Sequence, residues 1–152
     1  MGTSADEVAD ELRAAAGDVV KTQDVLAGRF AEHIELRHVP PHPSDGPIAA
    51  RLLTEVARRE VQAVERALPD RVTDGDVTVE DDAVRIRNRT RGTLADGTAI
   101  DVQTSTRFTV ADGAIVGLES TMDAASMEAW GTVLAAGGFE LPADFGVESA
   151  TS

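Results

Sequence analysis

Ala-Asp-Gly occurs at 95–97 and again at 111–113, each time between runs that alternate apolar and polar side chains. Asp-Gly in that setting marks a hairpin, because the glycine supplies the positive φ that a tight β-turn requires. With the acidic joint Glu80-Asp81-Asp82, these turns separate four expected strands, at 76–80, 83–93, 99–110 and 114–122. A meander of this kind must cover one of its faces with other elements.

The first half of the chain provides them. Ser4 and Glu7 have capping-box spacing, and Val8 and Leu12 lie four apart, which predicts a helix over 5–16 stopped by Gly17. Val25, Leu26 and Phe30 mark a second helix over 22–32. From 33 to 39, Ile34, Leu36 and His38 alternate with Glu35, Arg37 and Val39, so a short strand is expected. Pro40, Pro41 and Pro43 end it, since proline cannot donate to a ladder. Asp45-Gly46-Pro47 then reads as the opening of a long helix whose stripe holds Ile48, Leu52, Val56, Val64 and Leu68. Pro69-Asp70 closes it. A last helix follows Asp123, with Met127, Trp130, Val133 and Leu134 at helical spacing and Gly137-Gly138 at its end. The fold class is therefore α+β, one domain over 1–140 followed by a loosely ordered tail at 141–152.

Hairpin register decides which side chains share a face. If both Ala-Asp-Gly turns are three-residue loops, Val110 pairs with Ala114, and Phe108, Thr106, Thr104 and Val102 face Val116, Leu118, Ser120 and Met122. By the same rule Val84, Ile86, Asn88 and Thr90 oppose Phe108, Thr106, Thr104 and Val102. One face is then largely apolar. The other carries Arg85, Arg87, Arg89, Arg91 and Arg107 with Asp101, Gln103 and Glu119, a solvated or subunit-facing surface.

Composition narrows the function classes. The chain is 42% hydrophobic, which suits a globular domain. No apolar run approaches the roughly 20 residues of a membrane span, and the polar, acidic start lacks the features of a secretory signal, so a cytoplasmic, membrane-free protein is expected. A net charge of −13 repels phosphate backbones and argues against nucleic acid as a partner. The absence of cysteine removes disulfides, thiolate metal sites and thiol nucleophiles; the absence of tyrosine removes a common hydrogen-bond donor of active sites.

The element order, together with the segments at 36–41 and 68–70, Arg91-Gly92-Thr93, the run 108–115 and Asp123 leading into the Trp130 helix, resembles the SnoaL-like group of the nuclear transport factor 2-like superfamily. The resemblance implies a cone-shaped domain: a curved antiparallel or mixed sheet wrapped by about four helices around a central pocket. It also implies a homodimer formed through the outer sheet face. The superfamily holds polyketide cyclases, ketosteroid isomerases, epoxide hydrolases and non-catalytic binding modules, so the fold alone does not name a reaction.

Within that frame His38 falls where ketosteroid isomerase-like members carry a general base, and imidazole exchanges protons near neutral pH. Asn88 is a candidate donor to a ligand carbonyl. Asp123 has two readings, an auxiliary acid or the N-cap of the last helix. Phe30, Leu36, Phe108 and Leu118 would line the pocket, with Met122, Met127 and Trp130 beside them. Thr90, Thr104 and Ser120 would add polar contacts. His33 and His42 fall at a helix end and in a loop, and the histidines have no metal-binding spacing, so neither metal nor cofactor is expected. Two family features are missing: the tyrosine donor of the isomerases and the Arg-x-Asp pair of the epoxide hydrolases. The expectation is a protein that binds a small, mostly apolar molecule. It acts either as a cofactor-free isomerase or cyclase that abstracts a proton next to a carbonyl, or as a non-catalytic ligand-binding or accessory dimeric module.

Overall fold

Apolar residues three and four apart give the first and third helices amphipathic stripes, and the helices pack on the sheet through two apolar clusters. The computed structural model describes residues 4–16, 18–43 and 45–142. In chain order the elements are α1 (Ser4–Ala14), α2 (Val19–Arg29), β1 (Phe30–Val39), β2 (Gly46–Ala49), α3 (Ala50–Ala67), β3 (Val72–Glu80), β4 (Ala83–Thr93), β5 (Ala99–Ala111), β6 (Ala114–Thr121) and α4 (Ala124–Ala136). The strands form one open, mixed sheet in the order β2-β1-β6-β5-β4-β3, with β1 and β6 parallel and the other neighbours antiparallel. This is the expected α+β architecture.

Helix ends differ from expectation by a few residues. α1 is helical from Ser4, the first described residue, and the expected stop at Gly17 lies outside the described residues. α2 starts earlier, because the Asp18 carboxylate accepts from the Lys21 N–H at 3.0 Å. Its last residue, Arg29, is ion-paired with Glu11 of α1 and donates to the Gly113 carbonyl at 3.0 Å, tying both helices to the β5–β6 turn. Phe30 consequently opens β1 and is not part of the α2 stripe. Of the expected tail, Leu141 is exposed and Pro142 buried; 143–152 lie outside the described residues.

Two expectations are corrected. Asp45-Gly46-Pro47 does not open the long helix. Gly46–Ala49 is a strand that pairs with β1, Ile48 facing Ile34 and Gly46 facing Leu36, and the helix begins only at Ala50. Pro47 is tolerated because β2 is an edge strand. The second correction concerns the β5–β6 hairpin. Its turn has two residues, Asp112 (φ 51°) and Gly113 (φ 80°), and both positive φ values make it the primed type that matches strand twist. Ala111 therefore faces Ala114, and Val110 faces Ile115. Val116 is then extruded as a bulge, after which Thr109 faces Gly117, Phe108 faces Leu118 and Thr106 faces Ser120. Turn and bulge together shift the pairing by two, so Leu118 and Ser120 keep the inward parity assigned to them. Ile115, not Val116, enters the core. The β4–β5 register is as derived, with Val84, Ile86, Asn88 and Thr90 facing Phe108, Thr106, Thr104 and Val102.

The core has two parts. One gathers Val8 and Leu12 of α1 with Ile34, Leu36, Leu52, Val84, Phe108 and Ile115. The other joins Val64, Ala67 and Leu68 to Leu94, Ile100, Val102 and Val133. α3 runs from the first to the second.

Candidate functional site

Between these clusters the inner sheet face turns polar. Strand pairing sets Ile86, Thr106, Ser120 and His38 side by side across β4, β5, β6 and β1. In the adjacent row Val84, Phe108 and Leu36 are buried and only Leu118 is half-buried, whereas all four residues of this row are half-buried. His38 and Ser120, expected inward, are thus direct neighbours, with Leu118 and Met122 on the same strand edge.

His38 has a partner that the sequence reading did not foresee. The chain turns back after Pro43, and Asp45 Oδ1 lies 2.6 Å from His38 Nδ1. The other Asp45 oxygen accepts from the His42 backbone N–H at 3.2 Å, and the Asp45 N–H donates to the His42 carbonyl at 3.0 Å. Burial disfavours the Asp45 charge, but the hydrogen bonds from His38 and His42 outweigh it and hold the carboxyl below its ordinary pKa. An ionised Asp45 fixes the proton of His38 on Nδ1 and leaves the Nε2 lone pair as acceptor. His42 stacks obliquely on the pair, its ring centroid 5.1 Å from that of His38.

Other expected site residues stand apart from His38, and Asn88, Thr104, Met122 and Asp123 share a separate open groove. Asn88 stands on β4, three strands from His38 and so roughly 14 Å away. It is exposed and folds over Gly75, where a Cβ would lie 2.1 Å from Asn88 Oδ1. Asp123 is exposed and caps α4, accepting from the Ser126 N–H at 2.7 Å. Phe108 and Leu36 are closed core, and the ring of Phe30 packs on Phe108 at 6.5 Å. Thr90 and Thr104 lie half-buried beyond the polar row. Met127, expected to line the pocket, is 45% exposed. The inward stripe of α4 runs through Ser126, Trp130 and Val133, and Met127 falls beside it.

The arginine face is as assigned. Arg85 binds Glu80, Arg89 binds Asp101 through two contacts of 2.9 and 2.6 Å, Arg91 binds Asp74, and Arg107 reaches Glu80 and Asp82. Arg87 forms no ion pair among the described residues. It lines an open groove of about 520 Å³ together with Asp76, Arg89 and Ser105 and with four of the expected site residues, Asn88, Thr104, Met122 and Asp123. That mixture of charges is no dedicated anion site.

Sequence reasoning also missed Glu60. The positions 48, 52, 56, 60, 64 and 68 are four apart, and all but the carboxylate at 60 are aliphatic. That interruption was the available signal. Glu60 Oε2 accepts from Trp130 Nε1–H at 3.1 Å, bridging α3 and α4, and burial pushes its pKa up to about 7 against the smaller opposing effect of the indole bond. Among the described residues no group of three metal-ligating side chains is assembled, and no helix is long and apolar enough to cross a membrane.

No protein-family model and no curated protein matches the sequence. Solved structures do. A SnoaL-like protein of Jannaschia sp. CCS1, assigned as a polyketide cyclase, is 20% identical at a TM-score of 0.55, over 86% of this chain and 91% of that one. An NTF2-like protein of Burkholderia thailandensis E264 is 20% identical at a TM-score of 0.58, over 85% and 98%. An LEH-like epoxide hydrolase of M. tuberculosis is 13% identical at 0.54, over 88% and 93%. The chain therefore has the SnoaL-like, NTF2-like fold.

Proposed function

We propose that this SnoaL-like fold binds a small, mostly apolar carbonyl compound against the polar row of its inner sheet face and, without a cofactor, moves a proton at the carbon next to the carbonyl. His38 is the base. The observation that carries this reading is the 2.6 Å contact between His38 Nδ1 and Asp45, which frees Nε2 to accept a proton and offsets the imidazolium that forms. A base so oriented is more than a ligand-binding rim requires. The likeness of fold to a protein assigned as a polyketide cyclase agrees with it. The charged outer face, with Arg87 and Asp76 both exposed on it, is the surface through which two copies would associate.

The test is exchange of α-protons in D2O for a panel of small cyclic ketones, 2-decalone among them, followed by NMR. His38→Ala should lower the protein-dependent rate by about 10²–10⁴-fold. Equal rates in the two proteins would remove His38 as base. Binding without exchange in the wild type would favour the non-catalytic ligand-binding module.

A further inference from the structure

We propose that Ser120 is a nucleophile: His38, aligned by Asp45, activates its hydroxyl, and the protein hydrolyses a small, mostly apolar ester through an acyl group carried on Ser120. The inference rests on the preceding reading of His38 as a base and gives that base a second reaction.

The sheet order puts the three groups in line. β1 lies between β2 and β6. Asp45 directly precedes β2, so it meets His38 from the side of β1 away from β6, and its Oδ1 stands 2.6 Å from Nδ1. Ser120 is the partner of His38 on β6, on the opposite side. Neighbouring strands lie about 4.8 Å apart, and residues paired across them project from the same face. Nδ1 and Nε2 sit on opposite flanks of the imidazole ring. With Nδ1 turned to Asp45, Nε2 is turned toward β6 and Ser120. The Ser120 hydroxyl carries no side-chain hydrogen bond among the described residues, so it is free to swing about χ1 toward Nε2. Carboxylate, imidazole and hydroxyl in this order make a serine nucleophilic. The imidazole takes the hydroxyl proton as the oxygen attacks, and the carboxylate stabilises the imidazolium that forms.

The next strand extends the row. Thr106 of β5 is paired with Ser120 on the side away from His38. Its hydroxyl flanks an acyl carbonyl seated over Ser120 and donates to the oxygen on which negative charge develops. Ile86 and Leu118 offer apolar surface beside it. His38, Ser120 and Thr106 are all half-buried, which leaves access for an ester and for water.

The steps balance. The Ser120 proton passes to Nε2 as Oγ bonds to the acyl carbon, and the carbonyl electron pair moves onto oxygen. When the carbonyl re-forms, the C–O bond to the alcohol breaks and the leaving oxygen takes the proton from Nε2. Water then repeats the sequence on the acyl-serine. It gives a proton to Nε2 and bonds to the acyl carbon, and the Ser120 oxygen leaves with that proton. The products are the alcohol and the carboxylic acid.

The probes are diisopropyl fluorophosphate and p-nitrophenyl butyrate, each mixed with the whole protein. Diisopropyl fluorophosphate should phosphorylate Ser120 with loss of fluoride, located by peptide mass spectrometry. His38→Ala and the isosteric Asp45→Asn should each slow this labelling by more than about 100-fold. Thr106→Val should lower kcat for p-nitrophenyl butyrate by about 100-fold with KM within about twofold. A wild type unlabelled at Ser120, labelling equally fast in His38→Ala, or ester hydrolysis undiminished in Ser120→Ala would overturn the proposal. Labelled Ser120 in a wild type that exchanges no ketone α-protons would sink the reading of the preceding section and leave this one standing. Ketone exchange that depends on His38, with Ser120 unlabelled, would do the reverse.

Discussion

Replacing Glu60 by glutamine should stabilise the protein, and only at neutral and alkaline pH. The pKa of the group rises from 4.5 to about 7 in the folded chain. Each pKa unit is about 1.4 kcal/mol, and Glu60 is only half-buried, so solvent screens part of the shift and ionising it in the fold costs at most roughly 3 kcal/mol. The sign follows from proton counts. Between the two values the folded state holds the proton more tightly than the unfolded state, so stability falls as pH rises from about 4.5 to about 7 and is level above. Glutamine keeps the shape and the acceptor for the Trp130 N–H but never ionises. At pH 8.5 the variant should therefore exceed the wild type by up to roughly 3 kcal/mol, and at pH 4 the two should be alike. With an m-value of about 2 kcal/mol per molar urea, the midpoint moves up by at most about 1.5 M at the higher pH. Urea titration followed by Trp130 fluorescence reads this directly. An equal difference at both pH values, or a variant less stable at pH 8.5, would refute the argument. It would mean that Glu60 is solvated or paired in solution.

Two further substitutions test the geometry around the site. A Cβ on Gly137 would lie 2.0 Å from the Ala63 carbonyl oxygen, where α4 ends against α3. Gly137→Ala should cost about 1–3 kcal/mol by overpacking, measured as a lower urea midpoint; an unchanged midpoint would show that the helices part freely. Asp45→Asn should lower kcat for 2-decalone exchange by about 100-fold while KM stays within about twofold, because the amide no longer fixes the His38 tautomer. A change confined to KM would make Asp45 a binding residue instead.

The sheet was largely legible because strand periodicity and turn chemistry are local. Val84 and Phe108 face each other as derived, since the 95–97 turn fixes their hairpin. The 111–113 turn was read one residue too long, yet Leu118 and Ser120 stayed inward because the bulge at Val116 restored the parity. β2 escaped notice for a physical reason. Gly46-Pro47 suits a helix start and an edge strand equally well by local rules, and only pairing with Leu36 and Glu35 chooses between them.

The site was less legible, because its decisive groups meet across the fold. His38 carried its own signal in the alternation of β1, but Asp45 reaches it only through the return of a proline-rich loop. Of the two readings of Asp123 the N-cap is the one the fold adopts, and the inward position beside His38 holds the hydroxyl of Ser120. The carboxylate that faces the core is on α3, where periodicity calls for an aliphatic residue. A half-buried acid beside an indole, with no cation to offset its desolvation, costs stability once it ionises, and only the packing of α4 on α3 brings the two groups together.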